Sequence, residues 1–295
     1  MTTENRDWLG DRFEELRPRL RAVAYRILGS VSEAEDAVQE AWLRLSRTDS
    51  GAVENPGGWL TTVVSRIALN LLRSRETRRE EPIDFHVPDP IVTRAETPDP
   101  DQEVLLADSV GLALQVVLET LTPAERLAFV LHDLFALPFE EIAPVIGRTP
   151  AAARQLASRA RRRVQGKTAP KAEADRRRQR EVVDAFLAAA RNGEFEGLLA
   201  VLDPEVVLRS DAGARGPGLS KLVRGARAVA SGAVTFSRLA GSVRPVLVNG
   251  AAGLIAFDPE GRPLSVAGFT VADGKIVEIN ILTDPERLGR LDLES

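Results

Sequence analysis

Arg148, Arg154, Gln155, Ser158, Arg159 and Arg162 have the chemistry and spacing to meet a polyanion. Arginine presents a planar fork to phosphate oxygens and guanine edges, and glutamine can pair with adenine. Thr149 can cap the helix that carries them. Pro150 can open it, because a proline at the first helical position lacks only an N–H that would have no partner. A shorter helix, Phe139 to Val145, comes before it and ends at Gly147. Two short helices about a glycine turn, the second one basic, have the sequence form of a helix-turn-helix. Most basic helices are simply solvated. Here, however, Arg148 to Arg180 holds twelve Arg and Lys against two acids in a chain of net charge −4. Charge concentrated in this way points to nucleic acid.

A second stripe lies upstream. Arg66, Asn70 and Arg73 fall at i, i+4 and i+7, and Arg75, Arg78 and Arg79 extend the series. An asparagine between arginines suits combined base and phosphate contact. On this helix Leu60, Val63, Val64, Ile67 and Leu71 point inward by spacing, and Asn55-Pro56-Gly57-Gly58 forms the turn leading in. Trp59 reads as core. In the preceding helix, Ser32 to Glu35 fits a capping box. That helix should bury Ala37, Val38, Ala41, Trp42 and Leu45, leaving Asp36, Gln39, Glu40 and Leu43 on its other face. This acidic face is either solvated or a dock for a basic partner.

The chain around these sites is long enough for two or three domains. It contains 295 residues, 44% of them hydrophobic and 28% charged, which is ordinary for a globular protein. There is no cysteine, hence no disulfide or thiol chemistry, and the two histidines, His86 and His132, stand too far apart for a structural zinc site. No metal and no cofactor is implied. No apolar run approaches a membrane span, the polar N-terminus is no signal peptide, and the chain reads as cytoplasmic.

Residues 7–80 are helical by pattern. Residues 81–104 form a linker in which Pro82, Pro88, Pro90, Pro98 and Pro100 exclude a regular helix. Residues 105–166 are helical again, and residues 176–293 are mixed. In the mixed region, helices Gln179–Asn192 and Glu194–Leu202 precede six expected strands: Val206–Ser210, Val234–Ala240, Val243–Val248, Ala251–Phe257, Leu264–Thr270 and Lys275–Leu282. Asn249-Gly250, Glu260-Gly261 and Asp273-Gly274 supply hairpin turns, and the pattern reads as α+β.

The order of these motifs resembles a known family. Asp36-Ala-Val-Gln-Glu-Ala-Trp-Leu43, then Gly57-Gly-Trp-Leu60, then Arg66-Ile-Ala-Leu-Asn-Leu-Leu-Arg73, then Leu121-Thr-Pro-Ala-Glu-Arg-Leu-Ala-Phe129 ahead of the helix-turn-helix, is similar to bacterial extracytoplasmic-function sigma factors. The remainder resembles a SnoaL-like (nuclear-transport-factor-2-like) domain, carried by a subgroup of that family as a C-terminal extension. The resemblance implies a multidomain chain: two all-α sigma domains, the second a helix-turn-helix, and then an α+β cone-shaped barrel. It implies binding to core RNA polymerase, at the β′ clamp and β flap, and to promoter DNA. Asp36, Gln39, Glu40 and Leu43 match the polymerase-docking face. Asn55, Arg66, Asn70, Arg73, Arg75 and Arg78 match the −10 region, and Arg148, Arg154, Gln155, Ser158, Arg159 and Arg162 match the −35 region.

In the linker, His86-Val87-Pro88-Asp89-Pro90 stands where the subgroup has Trp-Leu-Pro-Glu-Pro. Asp211-Ala212-Gly213-Ala214-Arg215 stands for Asp-Gly-Gly-Gly-Arg, and Thr283-Asp284-Pro285-Glu286-Arg287-Leu288 for an Asn-Pro-Asp-Lys-Leu segment. From these, Pro88, Asp89, Pro90, Asp211, Arg215, Asp284 and Pro285 are expected to take part in interdomain regulation.

Two other readings compete. A one-component transcription factor would keep the helix-turn-helix and use the C-terminal domain to sense a small-molecule ligand, but it would not need the acidic helix or Gly57-Gly-Trp-Leu60. A C-terminal enzyme would need a buried base, for which Asp211 is the candidate. The sequence offers no evident Asp–His pair, and its one tyrosine, Tyr25, lies in the other half. The expectation is therefore a non-enzyme.

Overall fold

The computed structural model describes residues 3–47, 55–78, 85–94, 111–166, 175–213, 220–238 and 240–291. These fall into two compact units, Met1–Pro82 with Pro100–Asp108 and Val117–Lys167, and Ile83–Asp99 with Ser109–Val116 and Thr168–Ser295.

The first unit is helical. Helices α1 (Thr3–Leu28), α2 (Val31–Leu45) and α3 (Pro56–Arg78) pack through Leu20, Val23, Ile27, Val38, Leu45, Leu60 and Leu69. Each such leucine or isoleucine contributes about 1.5–3 kcal/mol by leaving water. On α2 the inward face is Ala34, Ala37, Val38, Ala41 and Leu45, and Trp42 is half-buried, its ring 4.8 Å from that of Phe13. The expected capping box at Ser32 is two residues late. Ser30 is the N-cap and accepts from the Glu33 N–H, so the helix starts at Val31. On α3 the inward set is shifted from expectation: Leu60, Val64, Ala68, Leu69 and Leu72 are buried, and Val63, Ile67 and Leu71 only half-buried.

After α4 (Leu112–Glu119), Thr122 and Glu125 form a reciprocal capping box that starts α5 (Pro123–Phe129). One π-helical turn, Val130–Leu134, follows. Helix α6 (Phe139–Ile146) ends at Gly147, whose φ of 68° is the left-handed turn that glycine adopts without strain. Helix α7 (Pro150–Gly166) starts where Thr149 Oγ1 accepts from the Ala152 N–H at 3.2 Å. Arg126 ties α5 to α1. It is 3% exposed and donates to the Ile27 carbonyl and to Glu119, each at 2.9 Å.

The second unit is a seven-stranded mixed sheet in the order β1-β4-β5-β6-β7-β2-β3. Its strands are β1 (Val92–Arg94), β2 (Leu202–Asp211), β3 (Lys221–Arg224), β4 (Ser242–Val248), β5 (Ala251–Phe257), β6 (Pro263–Ala272) and β7 (Lys275–Leu282). Only β2 and β7 pair in parallel. Asn249-Gly250 and Asp273-Gly274 close their hairpins with positive φ at both residues, as primed turns require.

One sheet face packs on α8 (Arg176–Asn192), α9 (Phe195–Val201) and α10 (Ala226–Ser237) through Val183, Phe186, Leu198, Val229, Phe269 and Ile279. The other face gathers Val87, Val92, Leu112, Val248, Ile255, Val266, Leu282 and Leu288, the last from the short helix α11 (Pro285–Leu288).

Two corrections concern this unit. Val234–Ala240 is not a strand: residues 226–237 form α10, because Val229, Ala230, Ala233 and Val234 repeat at helical spacing against the core. And the proline-rich linker is not merely extended, because Val92–Arg94 joins the sheet as edge strand β1, with Val92 opposite Val248.

Candidate functional site

The helix-turn-helix sets its arginines in two groups. Arg159 and Arg163 lean onto Glu125 at 3.5 and 2.6 Å, and Arg161 onto Asp133 at 2.6 Å. Glu125, only 5% exposed, thus binds three partners: its own capping box and two arginines. Arg148, Arg154 and Arg162 are exposed and pair with no carboxylate among the described residues. Gln155 is exposed beside them and Ser158 is half-buried. Of the expected −35 residues, Arg159 therefore has a structural partner, while Arg148, Arg154, Gln155 and Arg162 keep an open face.

The upstream stripe lies on α3. Arg66, Asn70 and Arg73 lie exposed on α3, and Arg66 Nη2 donates to the Pro144 carbonyl of α6 at 3.3 Å. Arg75 is half-buried, ion-pairs with Glu33 and donates to the Leu28 carbonyl at 2.8 Å, so it holds α1, α2 and α3 together. Arg78 is the last residue of α3, and Arg79 lies outside the described residues. Asn55 accepts from the Gly58 N–H at 3.0 Å and caps α3. Asp36, Gln39 and Leu43 are exposed on one face of α2, with Glu40 between them ion-paired to Arg44 at 2.8 Å. Leu43 is the one large hydrophobic that is exposed among the described residues.

The third site is a groove on the sheet of the second unit. Arg287 fills it. Its Nε donates to Asp89 Oδ1 at 2.6 Å, Nη1 to Asp211 Oδ2 at 2.8 Å, and Nη2 to the Val87 carbonyl at 2.5 Å. Asp211 also accepts from the Val87 N–H at 3.0 Å and the Gly213 N–H at 2.9 Å, and His86 Nδ1 stands 3.0 Å from its Oδ2. Burial alone would push the Asp211 carboxyl up. The bonds from His86, Val87 and Gly213 overcome it and hold the group well below the usual carboxylate range. Asn249 completes the groove: its side chain accepts from the Ile91 N–H at 2.9 Å, and its own N–H donates to the Ile91 carbonyl at 2.8 Å. Segment 87–94 is held along its backbone and at one acidic side chain.

Of the expected regulatory residues, Asp89 and Asp211 meet here, joined by a common arginine. Pro88 and Pro90 are buried in the same segment. Asp284 caps α11 and Pro285 opens it, which aims Arg287 into the groove. Gly213, with φ 71°, must be glycine-like, because a Cβ there would clash with the Asp284 carboxylate. Arg215 lies outside the described residues. His86, Asn249 and Arg287 were missed as site residues. The Asp–His pair that the sequence did not reveal does exist, between Asp211 and His86. As a base Asp211 is poorly suited, since its lone pairs are already committed.

A cavity of about 540 Å³ opens elsewhere in this unit, lined by Leu199, Leu202, Pro204, Arg224 and Arg227. No helix among the described residues is long and apolar enough to cross a membrane.

An acidic-faced helix, a basic-striped helix and a helix-turn-helix follow one another in this order along the chain, the arrangement of a promoter-recognising transcription initiation factor. Residues 12–78 match Sigma-70 region 2, and residues 111–164 match Sigma-70, region 4. The chain is 39% identical over 286 residues to the ECF RNA polymerase sigma factor SigJ of Mycobacterium tuberculosis, covering 93% of this chain and 91% of that one. The crystal structure of SigJ superposes with a TM-score of 0.78 at 34% identity, covering 96% of this chain and 99% of that chain. The ECF RNA polymerase sigma factor SigE of Mycolicibacterium smegmatis is 35% identical over 137 residues, 44% of this chain and 49% of the relative. The chain belongs to the extracytoplasmic-function (ECF) RNA polymerase sigma factors, with a SnoaL-like domain as its C-terminal extension.

Proposed function

We propose that this chain binds core RNA polymerase in the cytoplasm, opens promoters at paired −35 and −10 elements, and is controlled in cis by its C-terminal domain. Asp36, Gln39, Glu40 and Leu43 dock on the β′ clamp, and the region-4 end of the chain lies at the β flap. Asn55, Arg66, Asn70, Arg73 and Arg78 serve the −10 element, and Arg148, Arg154, Gln155 and Arg162 the −35 element. The observation behind the control is the Arg287 cluster. It joins the linker to the C-terminal domain through a buried charge network, and linker reach sets how far apart the two DNA-binding domains can stand. A small molecule that biased this contact would find room in the cavity beside Arg224 and Arg227.

In vitro transcription with core polymerase on a promoter library tests the first claim. Asp36→Lys with Glu40→Lys should abolish holoenzyme formation without unfolding, because exposed charge changes stay within about 0.5 kcal/mol. Full core binding by the folded variant would refute the docking face. Comparing full-length protein, Arg287→Ala and a chain ending at Gly166 tests control in cis. Equal activity from all three at equal protein level would remove it.

A further inference from the structure

The recognition helix does not hold all its arginines by charge. Arg154, near the start of α7, sets its guanidinium carbon 5.2 Å from the centre of the Phe139 ring. Phe139 is the first residue of α6, so this contact bridges the two helices of the helix-turn-helix. The ring is itself fixed. His132 stacks on it with centroids 3.9 Å apart and planes tilted by 30°. His132 is held in turn, because its Nδ1 lies 2.9 Å from the Leu137 carbonyl, and a carbonyl leaves that nitrogen only the donor role. The π-helical turn supplies the geometry. The Phe135 N–H reaches back to the Val130 carbonyl at 3.2 Å, and Ala136 takes a φ of 56°, folding the chain so that residues 132 and 139 face each other.

We infer that Phe139, backed by His132, is a positioning residue that pre-orders Arg154 for base reading. The inference rests on the proposed role of α7 at the −35 element. An arginine on an aromatic face leaves its fork of donors uncommitted, whereas one tied to a carboxylate has some donors occupied and its charge offset by a fixed acid. Arg159, Arg161 and Arg163 are tied in that way, at 3.5, 2.6 and 2.6 Å. Arg154 is thus held in place with no carboxylate drawing on its donors. A free arginine gives up much side-chain freedom on contact with DNA, and one already stacked gives up less. The gain therefore falls on discrimination among bases. The number of phosphates neutralised does not change.

The test is promoter binding by the holoenzyme on matched and base-substituted −35 elements, across a salt series. Phe139→Leu should lower discrimination about three- to tenfold and leave the salt slope unchanged, since no phosphate contact is lost. Phe139→Tyr, which keeps the ring, should restore discrimination. In an Arg154→Ala background, Phe139→Leu should have no further effect. If Phe139→Leu costs as much with Arg154 absent as with it present, the ring serves the fold alone and the inference is overturned. Failure of Phe139→Tyr to restore a folded variant also overturns it. If Arg154→Ala by itself changes neither discrimination nor salt slope, it is the placement of α7 on DNA that fails.

Discussion

Arginine does opposite work in the two halves of this molecule. In the linker groove Arg287 is 17% exposed, and each of its three nitrogens meets an oxygen of Asp89, Asp211 or Val87. In the helix-turn-helix Arg148, in the turn, and Arg154 and Arg162, on α7, are exposed and pair with no carboxylate among the described residues. The same side chain is a clasp where burial and carboxylates saturate it, and an open donor where they do not. The distinction also runs within one helix, since Arg159, Arg161 and Arg163 alternate with the open arginines and are committed to Glu125 and Asp133. Burial and partnership, more than residue type, predict which arginines face inward.

The comparison breaks most easily at the clasp. Arg287→Ala leaves Asp89 and Asp211 without their shared cation. Stripping one partner from a buried pair costs on the order of 3–5 kcal/mol, at the low end here because the site is partly exposed. Amide exchange of Val92–Arg94 should then accelerate about a hundredfold or more, as segment opening becomes easier. Unchanged protection would mean that Asn249 and the strand pairing hold the linker unaided.

Gly213→Ala should act on the same groove more mildly. It forces a side chain into φ 71° and against Asp284, at about 1–2 kcal/mol. A lower midpoint of thermal unfolding with intact core binding is the expected signature.

The open arginines of the helix-turn-helix should give smaller, separable effects. Arg162→Ala should weaken binding to all promoters alike and reduce the salt slope by about one. Arg159→Ala should shift the salt slope less, because Glu125 already shares its charge. Equal slopes for the two would erase the division within α7.

The smallest effect is one of pH. The Asp211 carboxyl is lowered from its ordinary 3.8, so its contribution to stability is present above that value and is lost only as pH falls through the lower, folded value. Between about pH 5 and 8 its titration should leave linker protection unchanged. Exchange measured across that range on His86→Gln protein, which removes the imidazole beside Asp211, checks this.

Much of this was legible in the sequence. Thr149, Pro150 and Gly147 punctuate the helix-turn-helix by local chemistry, and the Asp36 face follows from helical period alone. The groove was not legible as a site. Val87 meets Asp211 across 124 positions and Arg287 meets Asp89 across 198, and periodicity carries no information over such distances. The motif at Thr283–Leu288 drew attention to Asp284 and Pro285, whose role is to build the helix that presents Arg287. The edge strand β1 was hidden by prolines. Proline forbids a helix, but an edge strand tolerates it next to its ladder. Residues 226–237 misled because valine and phenylalanine favour strands, and only packing against the sheet settles them as α10.

Asn249 grips the linker at Ile91 by its peptide group, donor and acceptor together. At that one residue the hold is on the main chain and does not depend on the side chain, whereas Val87 and Asp89 are held by theirs. His86 and Val87 occupy positions where the subgroup pattern has tryptophan and leucine, and the segment is still seated. A different residue at position 91 could be seated by the same two bonds.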